Sequence, residues 1–204
     1  MPRILYCNNL SVGIFIGNGG QLPDFLEDVD AALSNLKENQ NHLDFLKAFC
    51  LFVDADQDAI DLTLKTKIGW LEKIAKEYFP EVDLESNDCK PGCVMGKNKK
   101  LGIYIIPDNQ RQGNLEQIIL QCGDLMYPDY MIKARNYVNQ YTHLRKPASR
   151  EKATIAAVVS VLQPGFTNTV SFARDNWISQ ETLEQVPDMV KLVQFLKELL
   201  GIED

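Results

Sequence analysis

The sequence predicts an α/β fold in which a small, mainly parallel sheet is flanked by helices and followed by a helical C-terminal third. Three apolar runs have the character of buried strands, and segments of helical periodicity separate them: VGIFIG, KAFCLFVDA and LGIYIIP. Strands that alternate with helices favour parallel pairing through right-handed crossovers. We therefore expect an α/β core over residues 1–125, on which a helical region over residues 126–204 packs to form one globular unit.

The predicted helices begin and end at residues with a physical reason for those positions. In LPDFLEDVDAALSNLKEN, Pro23 suits the first turn and neighbouring acids suit the positive end of the helix dipole. LTLKTKIGWLEKIAKEYF is amphipathic and is stopped by Pro80. Residues 81–100 predict a polar loop, and Asn114 is a plausible N-cap for the helix GNLEQIILQC. Four further helical segments follow: YPDYMIKARNYVNQYTHL, PASREKATIAAVVSVLQ, SFARDNW and VPDMVKLVQFLKELL.

The composition narrows the class of protein. A chain of 204 residues, 45% hydrophobic and 24% charged, is typical of one soluble globular domain. The net charge of −7 argues against a protein that coats nucleic acid or anionic membranes nonspecifically. Neither a signal peptide nor an apolar run of about 20 residues is visible, and the apolar setting of Cys50 and Cys122 suits reduced thiols. We therefore expect a cytoplasmic protein with no membrane contact.

Glycines and acids follow the three predicted strands, at the sheet edge where doubly wound folds bind ligands. Gly19 and Gly20 follow the first strand in IGNGG, where backbone N–H groups could contact a phosphate, although a tight turn explains them equally well. Asp54 and Asp56 follow the second strand in FCLFVDADQDAID, and Asp108 follows the third in IIPDNQRQGNLEQ.

This pattern of acids suits a divalent cation. Asp54 and Asp56 are two residues apart, so in an extended chain their side chains share one face with Cα atoms about 7 Å apart. Two carboxylates so placed could ligate one Mg²⁺ ion. Asp58 could join them or cap the next helix, Asp108 is a fourth candidate ligand, and Glu116 offers another carboxylate at the same edge. The alternative is that these acids are ordinary caps and turn formers.

A basic stretch runs from Lys133 to Lys152, with six Lys or Arg residues against one acid, Glu151. Such a stretch is usually a solvated helix face. It could also contact nucleic-acid phosphates locally, and Arg150 is a candidate for such a contact. The sequence does not support zinc or hydrolase chemistry, because Cys89 and Cys93 lack histidines at ligand spacing and no Ser-His or Cys-His pairing is visible.

Four segments together resemble a small Toprim-related group of uncharacterised proteins, kin to the Toprim domains of OLD-type (overcoming lysogenization defect) nucleases: VGIFIGNGGQLPDFL, FCLFVDADQDA, LGIYIIPDNQRQGNLEQIIL and REKATIAAVVSVLQPG. The resemblance runs from about Val12 to Gly165, and VDAD and GIYIIPDN are its most specific parts. It implies a compact α/β sheet whose acidic edge holds Mg²⁺ or Mn²⁺.

The same resemblance implies roles for individual residues. Asp54 and Asp56 would hold the ion, Glu116 matches a catalytic glutamate, and Lys152 would neutralise phosphate charge. The metal would polarise the phosphoryl group. In active Toprim domains a strand ending in Glu-Gly precedes the segment that VGIFIGNGG resembles, whereas MPRILYCNNLS contains no acid. The chain is then either a truncated version or one whose site has lost its glutamate.

Two functions follow from the resemblance. The first is a Mg²⁺- or Mn²⁺-dependent nuclease-type hydrolase that contacts nucleic acid through the local basic stretch. The second is a non-catalytic interaction module, because loss of a positioned acid/base lowers a rate by about 10²–10⁴-fold. Its partner would be an ATPase, since OLD-type Toprim domains work beside ATPase domains and this sequence has no P-loop.

Overall fold

The computed structural model describes residues 3–7, 10–16, 22–38, 43–82, 84, 89–141 and 147–202. The described ranges contain strands β1 (Arg3–Cys7), β2 (Leu10–Ile14), β3 (Ala48–Asp54), β4 (Val94–Met95) and β5 (Lys100–Ile106). They contain helices α1 (Leu22–Glu38), α2 (Ile60–Tyr78), α3 (Leu115–Met126), α4 (Pro128–Asn139), α5 (Pro147–Leu162), α6 (Asn168–Arg174), α7 (Gln180–Gln185) and α8 (Pro187–Leu200), and a 3-10 turn at Leu43–Phe45.

The protein is an α/β protein with small sheets and a helical C-terminal part, as the sequence predicts. The larger sheet has the order β3-β5-β4. Strand β3 runs parallel to β5, with Leu51 opposite Ile103, whereas β4 runs antiparallel to β5, with Val94 opposite Gly102. The sheet is therefore mixed. Strand β4 lies inside the segment that we expected to be a polar loop.

The first predicted strand takes a different place from the one expected. Strand β2 pairs antiparallel with β1 in a separate two-stranded sheet, and several of its side chains are exposed rather than buried. The prediction of a buried first strand was therefore wrong. A short apolar run suits an inner strand or a hairpin equally well. Pairing with the adjacent segment RILYC closes a much shorter loop, and so costs less entropy, than pairing with a distant strand of the larger sheet.

Strand β5 is the centre of the core, and its two faces are covered by different helices. Leu101 and Ile103 are fully buried and join the cluster formed by α1 and α2. The alternate residue Tyr104 packs against Phe195 and Leu199 of α8. Successive side chains of a strand point to opposite faces, so a strand buried on both faces needs suitable residues at every position, and after Lys100 the run LGIYII has no charged residue.

The helical C-terminal part has its own apolar centre and also touches the sheet. Trp177 is fully buried among side chains of α3, α4 and α5, including Ile119, Met131 and Val158. Helix α8 does not belong to that centre and packs on β5 instead. The consequence for the site is that α3 is held between α5 on one side and the end of the sheet on the other.

Candidate functional site

The chain leaves β3 through a turn that is tied to the loop after β5. The N–H of Ala55 donates to the carbonyl of Ile106 at 3.2 Å, and the N–H of Asp56 donates to the carbonyl of Gly113 at 2.7 Å. Asp56 has a positive φ of 51°, a conformation that Asp tolerates better than most residues. These backbone contacts place the Asp54–Asp56 turn against the start of α3.

The carboxylate of Asp54 is at the N-terminus of α3. Its Oδ1 accepts a hydrogen bond from the N–H of Leu115 at 3.0 Å. Asn114 is the N-cap, as predicted, and its Oδ1 accepts from the N–H of Gln117 at 3.3 Å. Two side chains thus satisfy N–H groups that a helix leaves without partners at its first turn, and the negative charge of Asp54 suits the positive end of the dipole.

The electrostatic surroundings of Asp54 bring together four residues that the sequence singled out. Partial loss of hydration is the main cause that raises the pKa of Asp54, although the residue keeps an exposed surface, and the negative charges of Asp56 and Glu116 raise the pKa further. The hydrogen bond from Leu115 and the charge of Lys152 oppose this rise in pKa. Residues from three elements, which we call the charged cluster, therefore lie close enough for their charges to interact: Asp54, Asp56, Glu116 and Lys152.

Helix α5 supplies the cation of this cluster and further polar groups next to it. The Nζ of Lys152 lies 3.4 Å from Oε1 of Glu116. One residue earlier, Oε1 of Glu151 accepts a hydrogen bond from Nε2 of Gln117 at 3.3 Å. Within the described part of the chain, Nε of Arg150 and Oε2 of Glu151 are buried without a hydrogen-bond partner. Polar groups of α5 are thus packed against the first turn of α3.

The donor groups of the cluster suit a hard divalent cation held by few protein ligands. Among the described residues, no group of three or more His, Cys, Asp or Glu side chains is arranged to hold a metal ion. Mg²⁺ commonly keeps several waters and binds to one or two carboxylates. The negative charges of Asp56 and Glu116, which add to the effect of lost hydration on the pKa of Asp54, also favour a nearby cation, and Lys152 offsets part of this negative charge. The ligand roles of Asp54 and Asp56 stay predictions, and Asp56, at a φ of 51°, does not have the extended backbone from which a shared face was predicted.

Asp108, the fourth candidate ligand, has a different set of partners. Its Oδ2 accepts from Nζ of Lys191 on α8 at 2.9 Å, and its Oδ1 accepts from the N–H groups of Gln110 and Arg111 at 3.1 Å each. Burial acts to raise the pKa of Asp108, but these hydrogen bonds outweigh it and the pKa is lowered. This carboxylate fixes the loop after β5 to α8, and its role as a metal ligand stays a prediction.

Three further residues were predicted from the sequence as site residues: Asp58, Gly19 and Gly20. Asp58 is exposed, and it does not cap α2, whose N-cap is Ala59 without a side-chain hydrogen bond. The ligand role of Asp58 stays a prediction. Gly19 and Gly20, proposed from the sequence as phosphate contacts, lie outside the described residues, and so do His42 and His143.

The sequence analysis missed a second charged group at the same end of the sheet. The guanidinium of Arg111 donates to Oδ2 of Asp188, and its Nε lies 3.4 Å from Oδ2 of Asp108. Asp188 is 2% exposed and also accepts from Gln121. The local Asp108–Arg111 spacing signals a turn with an ion pair, but the partner on α8 gives no signal in the sequence.

Comparisons with known proteins give one family match. The family model DUF3226, described as a protein of unknown function, matches residues 6–201. Searches of curated proteins and of solved structures found no match. Of the helices that the structure describes, none has both the length and the apolar composition needed to cross a bilayer.

Proposed function

The chain belongs to the DUF3226 family, and we propose that it is a Toprim-like protein that binds Mg²⁺ or Mn²⁺ and hydrolyses nucleic-acid phosphodiesters. The observation that supports this proposal best is the charged cluster. Asp54 ends a strand, Glu116 begins a helix and Lys152 lies on another helix, yet the charges of both Glu116 and Lys152 act on Asp54. Three carboxylates and one ammonium group gathered at a sheet edge suit phosphoryl chemistry.

The proposal gives each residue of the cluster a role. Asp54 and Asp56 would hold the ion, which when bound polarises a phosphoryl oxygen as a Lewis acid. Lys152 compensates the negative charge of the phosphate. Glu116 orients that lysine, because its carboxylate lies 3.4 Å from the ammonium nitrogen. Arg150, two residues earlier on α5, is the candidate for a second phosphate contact.

A second candidate function is a non-catalytic interaction module that keeps this fold and acts with an ATPase or another partner protein. The observation that favours this function is that the carboxylates of the charged cluster already have partners within the protein. Asp54 already accepts from Leu115, Glu116 already pairs with Lys152, and a group of three metal-binding side chains is absent from the described ranges. In such a protein these contacts would only stabilise the junction of β3, α3 and α5.

A plasmid-nicking assay in Mn²⁺ separates the two functions. We would compare the wild type with Asp54→Asn, which keeps an oxygen that can accept from Leu115, and with Asp129→Asn, an exposed acid on α4. The proposal expects nicking by the wild type and by Asp129→Asn, loss of nicking in EDTA, and a reduction of at least about 10²-fold for Asp54→Asn. Equal rates for all three proteins, or rates independent of metal, would support the interaction module.

A further inference from the structure

An open cleft of about 670 Å³ lies between the start of α2 and the loop after β5, and its lining contains no residue of the charged cluster. One wall is the beginning of α2, with Ala59, Ile60 and Asp61, and the other is the loop at residues 109–112 after β5. The cleft lies outside the carboxyl ends of the parallel strands β3 and β5, which is where open α/β sheets bind ligands. Its volume is within the range of sites for small molecules.

The wall of the cleft and the charged cluster belong to the same piece of backbone. Nε2 of Gln112, in the cleft wall, donates to the carbonyl of Gln57 at 2.6 Å. The next residue, Gly113, accepts from the N–H of Asp56 at 2.7 Å. The wall of the cleft is therefore joined by hydrogen bonds to the turn that carries Asp56 of the charged cluster.

The charges around the cleft do not suit a phosphate. Arg111 is the basic residue of the lining, and its guanidinium is already paired with Asp188 and lies near Asp108. Asp61 adds a negative charge to the opposite wall. An anionic group in the cleft would meet carboxylates and a cation that is already compensated. The ligand that fits this charge distribution is neutral.

The other lining groups suit a flat, neutral molecule with polar edges. Ala59, Ile60 and Pro91 offer apolar contact, while Asn109 and Gln110 offer amides. The Oδ1 of Asn109 is used by the N–H of Ile105 at 2.7 Å, which directs the remaining amide group of Asn109 to act as a donor. The side chain of Gln110 is exposed and has both a donor and an acceptor to offer. Enzymes that take a base out of the stack hold it between aromatic or apolar side chains and hydrogen-bond its edge, and this cleft offers the apolar form of that arrangement.

We propose that this cleft binds the base of a nucleotide whose phosphate lies at the charged cluster. The position of the phosphate rests on the proposed function, whereas the binding of the base rests on the cleft itself. The base would then be held by neutral contacts and the phosphate by Lys152 and the ion, so a duplex substrate such as a plasmid has to present an unpaired or flipped-out base at this site.

The test is a titration of the ¹⁵N-labelled full chain, in EDTA, with adenosine, cytidine and uridine, followed by NMR. We expect saturable shifts of the side-chain amide signals of Asn109, Gln110 and Gln112 with at least one nucleoside. Ribose is the control ligand and is expected to shift none of them. No shift with any nucleoside, or equal shifts with ribose, would overturn the proposal.

Three variants test the location of the binding. Gln110→Ala should weaken the affinity for the nucleoside about three- to tenfold, which is the loss expected for one neutral hydrogen bond. Ala59→Tyr fills the cleft from an extended backbone position that accepts any residue, and it should abolish binding. Gln194→Ala, at an exposed position on α8, is the matched control and should bind like the wild type. Wild-type affinity in both cleft variants would contradict the proposal.

The outcome is separable from that of the nicking assay. The nucleoside titration is done in EDTA, so it measures binding to the cleft without the ion that nicking requires. If the protein binds a nucleoside but never nicks DNA, the proposed hydrolase function is wrong and the proposal that the cleft binds a base still holds. If the protein nicks DNA but binds no nucleoside, the hydrolase function is supported and the proposal that the cleft binds a base is wrong.

Discussion

The ammonium nitrogen of Lys152 on α5 lies 3.4 Å from Oε1 of Glu116 in the first turn of α3. The Lys152 side chain is 67% exposed, so this ion pair contributes at most about 1 kcal/mol to stability. Its main consequence is electrostatic, because it places a positive charge where it acts on Asp54. Substitution of Lys152 should therefore affect function strongly and stability only slightly, which distinguishes a functional role from a structural one.

Substitution of Lys152 by Gln should have opposite effects on metal binding and on nicking. The affinity for Mn²⁺ should rise, because a positive charge near the carboxylates is removed, while nicking should fall at least about 10-fold, because the phosphate loses its counter-charge. The free energy of unfolding should fall by no more than about 1 kcal/mol, the upper limit for this exposed ion pair. Calorimetry, the nicking assay and urea unfolding measure the three quantities. Lys73→Gln, at an exposed position on α2 outside the basic stretch, is the control, and equal nicking by both variants would show that Lys152 has no such role.

Substitution of Asp54 by Asn should change the dependence of stability on pH. The pKa of Asp54 is raised in the folded protein, so its contribution is fully present below the ordinary value of 3.8 and is lost as the pH rises through the folded value. Asn removes this loss and still offers an acceptor to Leu115. The difference in the free energy of unfolding between Asp54→Asn and the wild type should thus favour the variant more at about pH 7 than at about pH 3.5. The change in this difference should be less than about 1 kcal/mol. The opposite trend in urea unfolding would contradict the assigned surroundings of Asp54.

Substitution of Asp108 by Asn should give the opposite trend. The pKa of Asp108 is lowered, so its stabilising contribution is present above the ordinary value and is lost as the pH falls through the folded value. The free energy of unfolding of the variant should be about 1–3 kcal/mol lower than that of the wild type at neutral pH, because charged hydrogen bonds to Lys191 and to two backbone N–H groups are weakened. In acid this difference should be smaller. Urea unfolding at both pH values measures this difference. A cost that does not vary with pH would exclude an ionised Asp108.

Two glycines provide a matched test of the core. A Cβ at Gly102 on β5 would lie 2.7 Å from Cζ of Phe195, so Gly102→Ala should destabilise the protein by about 1–3 kcal/mol. A Cβ at Gly69 in α2 would meet nothing within 4 Å, so Gly69→Ala should stabilise it by about 0.5–1 kcal/mol. Thermal and urea unfolding measure both effects. If Gly102→Ala were also neutral or stabilising, α8 would not pack on this face of the sheet.

The parts of the fold that could be predicted from the sequence are those with local causes. Helix α3 begins where Asn114 caps it, and β3 and β5 follow from apolar runs that end in acids. The hairpin β1–β2 could not be predicted, because the pattern of an apolar run does not name its pairing partner. The two-residue strand β4 is too short to give a periodic signal.

The candidate site shows the same division. Asp54 and Asp56 were visible because they follow a strand, and the position of Glu116 followed from its place in the first turn of α3. The partners of Asp108 were not visible, since Lys191 is 83 residues away and lies on a helix whose position depends on packing over β5. The cleft was also not visible, because it forms between α2 and a loop that meet only in the folded protein.

The most direct test of the proposed function is the binding of Mn²⁺ measured by electron paramagnetic resonance. We would compare the wild type with the double variant Asp54→Asn/Asp56→Asn and with Asp129→Asn as the control. The account predicts saturable binding by the wild type and the control, and an affinity at least about 10-fold weaker for the double variant. Equal Mn²⁺ binding by all three proteins, or no binding by the wild type, would contradict it.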